Sequence, residues 1–479
     1  MKHHVMLRVL GTLLLALAVT LLTPLLVSFL YHDGVHWSFL LSALAAGSAG
    51  GVLLCFFRGR GEIRLREGFA IVTVAWLAVA SFGALPLWLS GAVPSFIDAG
   101  FESVSGFTTT GATVITDLDA IPKSILFWRA EMQWLGGMGI IVLSLAILPS
   151  LRVGGMQLFA AEMPGPQVDR LAPRIQDTAK ALWAVYLLLT CAETLLLWVG
   201  EMTFFEAVCH AFTTVSTGGF STSDASLGAF GSYAQVVVTV FMVLAGINFA
   251  LHFSALREHS LRRYLQNQEL KLFLGLFALG TIALVVANSG QEGSWLLRLR
   301  DGAFQVASLS TTTGFATTDY GAWPALSKCL LLILMLFGGC AGSTTGGVKL
   351  VRVLVAFKHA LLQVRRLIHP REVKLLRQDH AVVPDDVSSS ILGFIVLFVF
   401  LLLTGTCLVA ATGVDLVPAA TSVLACLGNV GPGLGEVGPV GNYAGVPVAA
   451  KLVLEACMVL GRLELFTIFV LFLPSCWRL

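Results

Sequence analysis

Thr108-Thr109-Thr110-Gly111-Ala112-Thr113 is a short polar stretch set between two long apolar ones. At membrane depth a Thr/Gly loop is costly unless its free backbone groups meet protein or a permeating ion. The stretch recurs as Thr214-Val215-Ser216-Thr217-Gly218-Gly219-Phe220-Ser221-Thr222 and as Ser310-Thr311-Thr312-Thr313-Gly314-Phe315-Ala316-Thr317. A more degenerate fourth copy is Leu427-Gly428-Asn429-Val430-Gly431-Pro432-Gly433. Internal repetition comes first in reading a long chain. Four such loops are expected to converge on one axis and offer carbonyl oxygens to a passing cation. Glycine permits the backbone angles that turn consecutive carbonyls one way. Rings of carbonyls that replace a hydration shell are the physical basis of potassium selectivity. The threonine hydroxyls add ligands or hold the loop in place. The residues assigned to the ion path are Thr109, Thr110, Gly111, Thr217, Gly218, Gly219, Thr312, Thr313, Gly314, Asn429, Val430 and Gly431. In the fourth copy Gly428, Gly431, Gly433 and Gly435 compete; Gly431 is preferred because Asn429-Val430-Gly431 keeps the two-residue lead of Thr109-Thr110-Gly111.

Around each loop the order is span, half-helix, loop, span. The first unit reads as a span over 68–90, a half-helix over 95–106 and a closing span over 124–149. The second has a span over 179–200, a half-helix over 204–215 and a closing span from 233 to the basic residues near 257. The third has a span over 270–289, a half-helix over 297–308 and a closing span starting near Pro324. The fourth has a span over 390–411, a half-helix over 416–426 and a closing span over 448–472. Two further spans, one ending near residue 30 and one over 37–57, precede them. Half-helices of this length cannot cross a bilayer and suit re-entrant segments. The expected architecture is an all-α polytopic membrane protein of ten full spans and four half-helices. It divides into a two-span unit (1–66) and four pore repeats (67–178, 179–268, 269–387 and 388–479) around one pseudo-fourfold pore.

Charge supports this register. Basic residues follow the second span (Arg58, Arg60, Arg64, Arg66) and each closing span (Arg152, Arg170 and Arg174; Arg257, Arg262 and Arg263; Lys358 through Arg377; Arg478). By the positive-inside rule these ends and both termini are cytoplasmic. The opposite loops carry Asp33, Asp117, Asp119, Asp224, Asp319 and Glu436, and an acidic mouth concentrates cations. Each half-helix would aim its partly negative C-terminus at the ion. With 56% hydrophobic and 12% charged residues in 479, the chain is a membrane protein with no nucleic-acid partner. No soluble domain fits, so nucleotide sensing or ATP hydrolysis belongs to another polypeptide. The basic start followed by a long apolar run reads as a span, not a signal peptide. The nine cysteines (Cys55, Cys191, Cys209, Cys329, Cys340, Cys407, Cys426, Cys457, Cys476) form no CxxC pair and read as small buried hydrophobes.

Other constellations bear on function. The third closing span is interrupted by Gly338-Gly339-Cys340-Ala341-Gly342-Ser343-Thr344-Thr345-Gly346-Gly347. The string superficially resembles a phosphate loop, but Lys349 is displaced and no strand precedes it. A break at membrane depth lines a cavity or is packed in protein, and next to the four loops it reads as a gate or a structural kink. Arg462 lies within the last span, where a charge usually faces a bundle interior or water; it reads as a barrier in the ion path, or as a side chain that snorkels or pairs with Glu464 or Glu455. Lys451 is expected to reach the interface. The basic face of Lys349, Arg352, Lys358, Arg365, Arg366, Arg371, Lys374 and Arg377 either docks an acidic partner or marks topology and contacts anionic lipid. His210 and His252 read as packed or hydrogen-bonded, not as metal ligands. Glu102 and Glu206 occupy similar places before loops one and two and attract cations or brace the loops. No nucleophile–base or metal-ligand cluster indicates an enzyme.

Three strings carry a family resemblance: Gln133-Trp134-Leu135-Gly136-Gly137-Met138-Gly139-Ile140, Gly246-Ile247-Asn248-Phe249-Ala250-Leu251-His252-Phe253 and Leu460-Gly461-Arg462-Leu463-Glu464. With the four loops they resemble the Trk/Ktr/HKT superfamily of potassium transporters over nearly the whole chain, most closely the bacterial Trk H type, which also has two extra N-terminal spans. The resemblance implies a homodimer with one pore per subunit and filter glycines at Gly111, Gly219, Gly314 and Gly431. Relatives with serine at the first position tend to favour sodium, so glycine at all four implies potassium. It makes Gly338, Gly339, Gly342, Ser343, Thr344, Thr345, Gly346 and Gly347 an intramembrane gate with Arg462 nearby. It assigns gating to a cytosolic nucleotide-binding ring of the Trk A type, so that NAD or ATP acts only through that partner. The expected function is potassium uptake across the bacterial inner membrane, with no bound cofactor. A sodium-permeable or sodium-coupled transporter is the alternative within the class, and a membrane anchor or scaffold for a cytosolic complex the alternative outside it.

Overall fold

The computed structural model describes residues 3–57, 65–146, 171–290, 294–370, 375–379 and 381–474. Arg58, Arg60, Arg64, Arg152, Arg170, Arg371, Lys374, Cys476 and Arg478 lie outside the described residues, as do the side chains of Arg66 and Arg174.

The regular structure of the described residues is helical apart from a hairpin of two two-residue strands. Helices α1 (His3–Thr20) and α2 (Leu22–Tyr31) form one apolar rod, followed by α3 (His36–Phe56). Helices α1 and α3 cross where glycines meet: a methyl on Gly50 would lie 2.7 Å from the Gly11 carbonyl oxygen. Small residues at such crossings let backbones approach where no hydrophobic effect drives association. Next come α4 (Leu65–Gly83), α5 (Leu85–Leu89), the half-helix α6 (Phe96–Phe107) and α7 (Lys123–Ala146). Helix α8 (Leu171–Val199) precedes the half-helix α9 (Phe204–Val215), then α10 (Ser232–Ala245), α11 (Phe249–Glu258) and α12 (Arg262–Gln266). Helix α13 (Gln268–Ala287) precedes the half-helix α14 (Trp295–Ser310), α15 (Ala325–Leu336) and α16 (Leu350–Ile368). After the antiparallel pair β1 (Arg377–Gln378) and β2 (Ala381–Val382) come α17 (Asp385–Ala410), the half-helix α18 (Leu416–Leu427), α19 (Val448–Arg462) and α20 (Phe466–Phe469).

Six described helices, or seven if a bent pair counts as one span, are long and apolar enough to cross a membrane. The chain is a multi-pass membrane protein. Of the expected closing spans only α7 is unbroken over its described length, Lys123–Ala146, and it is not among those six helices. The second closing span bends by 94° between α10 and α11, where Asn248 caps the second piece through its side chain. The fourth stops at Arg462, and Glu464 and Leu465 take φ of 58° and 35° before α20. The third breaks between α15 and α16 at the predicted glycine string. Four described cysteines, Cys55, Cys191, Cys329 and Cys407, are exposed on the chain's surface, which corrects the reading of all as buried. A sulfhydryl is apolar enough to face lipid as well as core.

The first three half-helices share their start chemistry, and the fourth, after Asp415, has no side-chain cap. Ser95, Thr203 and Ser294 cap α6, α9 and α14 through their side-chain oxygens. The third half-helix starts earlier than its sequence pattern predicts because Ser294 supplies an earlier cap, and it runs on to Ser310.

Candidate functional site

All four half-helices end in the same way. The Thr110 N–H donates to Ser105 O at 2.9 Å; Gly218 to Thr213, Thr313 to Ser308 and Val430 to Ala425 follow, each at 2.8 Å. Such six-to-one bonds close a helix when the residue between is left-handed. That residue is Thr109, Thr217, Thr312 or Asn429, with φ of 52°, 55°, 56° and 52°. Two positions later Gly111, Gly219, Gly314 and Gly431 have φ of 81°, 80°, 83° and 102°. The fourth loop therefore takes the register in which Gly431, and not Gly428, Gly433 or Gly435, matches the other three.

The loops close a ring. A methyl on Gly111 would lie 2.2 Å from the Gly218 carbonyl oxygen, one on Gly219 1.9 Å from that of Thr313, one on Gly314 2.0 Å from that of Val430, and one on Gly431 2.5 Å from that of Thr110. Each loop thus abuts the next and the fourth abuts the first. No side chain fits between neighbours. A cavity of about 130 Å³ opens on the glycine side and is lined by Gly111, Gly219, Gly314 and Gly431 together.

Side chains behind the ring hold it. Thr108 and Thr110 share a hydroxyl hydrogen bond at 2.7 Å, and Thr311 and Thr313 one at 2.8 Å. Gln133 Nε2 donates to Gly218 O at 2.7 Å while its Oε1 accepts from Phe220 N at 3.0 Å. That amide occupies the space of a side chain at position 218, where a methyl would lie 2.4 Å from it. The second loop therefore carries a glycine where the others carry Thr110, Thr313 and Val430. Tyr443 donates its hydroxyl to Gly431 O at 2.7 Å.

Glu102 and Glu206 do not play parallel parts. Glu102 is fully buried, accepts from Val114 N at 2.9 Å and pairs with Arg129 Nε at 2.8 Å. Glu206 sits in the first turn of α9, where it completes a capping box with Thr203. The positional partner of Glu102 is His210, whose Nε2 meets Ser221 Oγ at 3.0 Å; in the third half-helix it is Gln305. Each of the three stands seven residues before its left-handed residue (102 and 109, 210 and 217, 305 and 312). His210 and His252 are both buried and hydrogen-bonded, His252 to Tyr264 OH at 2.6 Å and Leu244 O at 2.9 Å. Among the described residues no three His, Cys, Asp or Glu side chains group as metal ligands.

On the other side of the ring lies the 338–347 loop. Gly346 N donates to Thr312 Oγ1 at 2.8 Å, and a methyl on Gly346 would lie 2.3 Å from Gly428 O. Thr344 donates its hydroxyl to Val215 O at 3.0 Å, and Cys340 N donates to Gly246 O at 2.9 Å. Arg462, almost fully buried, donates to Thr344 O at 2.8 Å and to Gly136 O at 3.3 Å. The loop thus touches the second, third and fourth segments around the ring, and Arg462 ties it to Gly136 beside the first. Its own shape depends on Gly342 and Gly347, at φ of 74° and 64°, on Gly338 and Gly339 where chain meets chain, and on a Ser343–Thr345 hydroxyl contact at 2.7 Å. Glu269 accepts from Ala341 N at 2.8 Å and Val351 N at 3.0 Å, fastening the loop to the start of α16.

Three sequence expectations are corrected here. Arg462 pairs with neither Glu464 nor Glu455; Glu464 is taken by Arg352, and the two carbonyls satisfy part of the guanidinium. Lys451 does not reach the interface: it is buried, 2.6 Å from Asp98 in the first turn of α6. The basic face loses two members, since Lys349 is buried against Thr345 and Arg352 is buried against Glu464 and stacked on Phe394. Arg365 and Arg366 remain exposed. Sequence reasoning missed Arg129, Gln133, Tyr443 and Glu269. Arg129 carried a readable signal, an arginine inside an apolar helix, the same that marked Arg462.

The three family strings place glycines on this site. Methyl groups on Gly136 and Gly461 would lie 1.9 Å and 2.1 Å from the carbonyl oxygens of Phe107 and Leu427, the last residues of α6 and α18. Gly246 presses on Phe273 and on Thr311, just past the end of α14.

Comparison with known proteins gives a consistent picture. The family model for TrkH, described as a cation transport protein, matches residues 38–478. The Trk system potassium uptake protein TrkH of Halomonas elongata is 43% identical over 487 residues, covering 100% of both chains. The protein of the same name from Escherichia coli K12 is 42% identical over 484 residues, again with 100% of both covered. The crystal structure of the potassium transporter TrkH from Vibrio parahaemolyticus superposes with a TM-score of 0.91 at 39% identity, covering 100% of each chain. The chain belongs to the TrkH family of cation transport proteins.

Proposed function

We propose that this chain takes up potassium through the ring of four loops. The observation that carries the reading is the closed succession of glycine-to-carbonyl contacts, each with the same pair of left-handed residues. Repeated geometry with no room for side chains leaves backbone oxygen as the ligand available at the axis, and such oxygen replaces a hydration shell. The C-terminal ends of four half-helices converge there and favour a cation. The names of the relatives, Trk system potassium uptake proteins, agree with this choice of ion. The chain is not an enzyme; its relatives are transporters.

In this reading residues 1–66 are an added pair of spans, and 67–178, 179–268, 269–387 and 388–479 are four pore repeats. The 338–347 loop, held by Arg462, closes the path on one side of the filter. The relatives' Trk system names are consistent with partner subunits; the partner proposed here is a cytosolic nucleotide-binding ring of the Trk A type, acting on a homodimer. The location proposed is the bacterial inner membrane with both termini cytoplasmic, on the basic residues that follow the closing spans.

Rubidium uptake into proteoliposomes, wild type beside Gly314→Ser, tests the reading. Potassium but not sodium is expected to compete in the wild type, and the variant to lose that preference. Robust uptake with unchanged preference in the variant would place the path elsewhere.

A further inference from the structure

The four junctions of the ring are braced by different chemistry. Between the second and third loops Ala316 N donates to Ser226 Oγ at 3.2 Å. Between the third and fourth, Tyr320 OH reaches Gly433 O at 3.4 Å. Between the fourth and first, Tyr443 N donates to Thr113 O at 2.8 Å and Asn429 Nδ2 to Thr110 Oγ1 at 3.0 Å. These contacts involve no charged side chain. The junction between the first and second loops differs. Arg129 places Nε on Glu102, one terminal nitrogen on Thr113 Oγ1 at 3.2 Å and the other on Ser221 O at 3.3 Å. Its guanidinium carbon stands 4.1 Å from the centre of the Phe220 ring. Glu102 in turn accepts from Thr113 Oγ1 at 3.0 Å and from Val114 N.

Both charges are buried, at 1% and 0% exposure. Burying an ion pair costs desolvation that its mutual attraction repays only with good geometry and further hydrogen bonds. Such a pair is therefore weak evidence of a brace kept for stability, and at the other junctions the loops themselves meet through neutral contacts, the Lys451–Asp98 pair joining helices α19 and α6 instead. What the pair adds is directional rigidity. A planar fork with contacts in several directions fixes two loops at one separation, which a single hydroxyl does not. Arg129 also lines the cavity on the glycine side of the ring, beside Gly111 and Gly219.

We propose that Arg129, held by Glu102, is a positioning residue for ion selectivity: it sets the spacing of the first and second loops and so the fit of the ring to the transported cation. This rests on the ring being the ion path. Loss of the fork would let the two loops separate and admit a cation with a different hydration demand, while the path itself stays open.

The test uses the full chain in proteoliposomes, with rubidium uptake competed by potassium and by sodium, for wild type, Arg129→Lys, Glu102→Asp, Thr113→Val and Gly314→Ser. Lysine keeps the charge and loses the fork. Thr113→Val removes only the hydroxyl shared by the pair, so at least one variant is expected to fold; thermal unfolding in detergent identifies which. Potassium-over-sodium discrimination is expected to fall about tenfold in Arg129→Lys, the equivalent of one charge-assisted hydrogen bond, and less in Thr113→Val. Maximal uptake is expected to fall by a smaller factor than discrimination. Wild-type discrimination in every folded clamp variant, beside its loss in Gly314→Ser, would overturn the proposal and leave Arg129 a fold brace. Wild-type discrimination in Gly314→Ser as well would overturn the ring reading itself.

Discussion

The ring of glycine loops and the layer against its other side are built on opposite plans. In the ring, four segments of differing sequence adopt one backbone course. The left-handed residue is threonine three times and asparagine once, and the φ values of the four span only 52° to 56°. The adjoining layer shares no such rule. One closing helix runs unbroken, one bends at Asn248, one opens into the 338–347 loop and one ends at Arg462. Selecting an ion by coordination demands equivalent ligands from all sides. Opening and closing a path needs only one element that moves, held by contacts that can be released. The regular layer is therefore the one to test for selectivity and the irregular layer the one to test for control of flux.

The largest effect is expected from breaking the ring's regularity. In Gly219→Ala the new methyl would overlap Thr313 O at 1.9 Å and the residue would sit at φ 80°. A left-handed penalty and a steric clash together cost several kcal/mol at the site, so uptake should fall at least about a hundredfold. Uptake near the wild-type rate would show that the loops tolerate separation. The next effect lies in the irregular layer and has the opposite sign. Arg462→Met removes the donor that holds Thr344 O, and uptake should rise about tenfold, the value of one charged hydrogen bond expressed as a population shift. A folded variant with unchanged uptake would show that Arg462 does not hold the loop closed. Lys349→Met releases Thr345 at the next position and should raise uptake about threefold, since one of several contacts is lost while Arg462 remains. The smallest effect on uptake by the isolated chain belongs to Arg365→Gln with Arg366→Gln. Both side chains are exposed, so uptake should stay within about twofold, as for other exposed surface changes; stimulation by a cytosolic regulator, read by titrating it into the same vesicles, should fall.

The half-helices were legible because their signals are local. The bounds of α9 coincide with the predicted 204–215, since Thr203 and Glu206 form the capping box and Thr217-Gly218-Gly219 ends the helix. Repetition then carried the reading from one copy to the next, and it served even for Asn429-Val430-Gly431, where the residue types had changed. The two unforeseen breaks have weaker local causes. Gly246-Ile247-Asn248 holds one glycine, and its bend depends on the Asn248 cap and on Cys340 bonding to Gly246 O from a distant part of the chain. Leu463-Glu464-Leu465 has no glycine or proline, and its left-handed residues are fixed by Arg352 on Glu464 and by complete burial of Leu465. The same explains the mistaken pairing of Glu102 with Glu206. Their similar places in the sequence hide a difference of one helical turn, and only the distance back from the left-handed residue reveals that Glu102 belongs with His210 and Gln305. Buried basic residues were misjudged for a related reason. In sequence Lys349 and Arg352 read as part of a basic face and Lys451 as reaching the interface, and their partners Thr345, Glu464 and Asp98 are assembled by the fold.

The most direct test of the central claim is to locate the ion. Crystals of this chain grown with rubidium in place of potassium would be measured at the rubidium absorption edge. Anomalous density is expected on the axis between Gly111, Gly219, Gly314 and Gly431, and sodium in excess should not displace it. Rubidium found at another site in the membrane-spanning region, with nothing between the four glycines, would contradict the account.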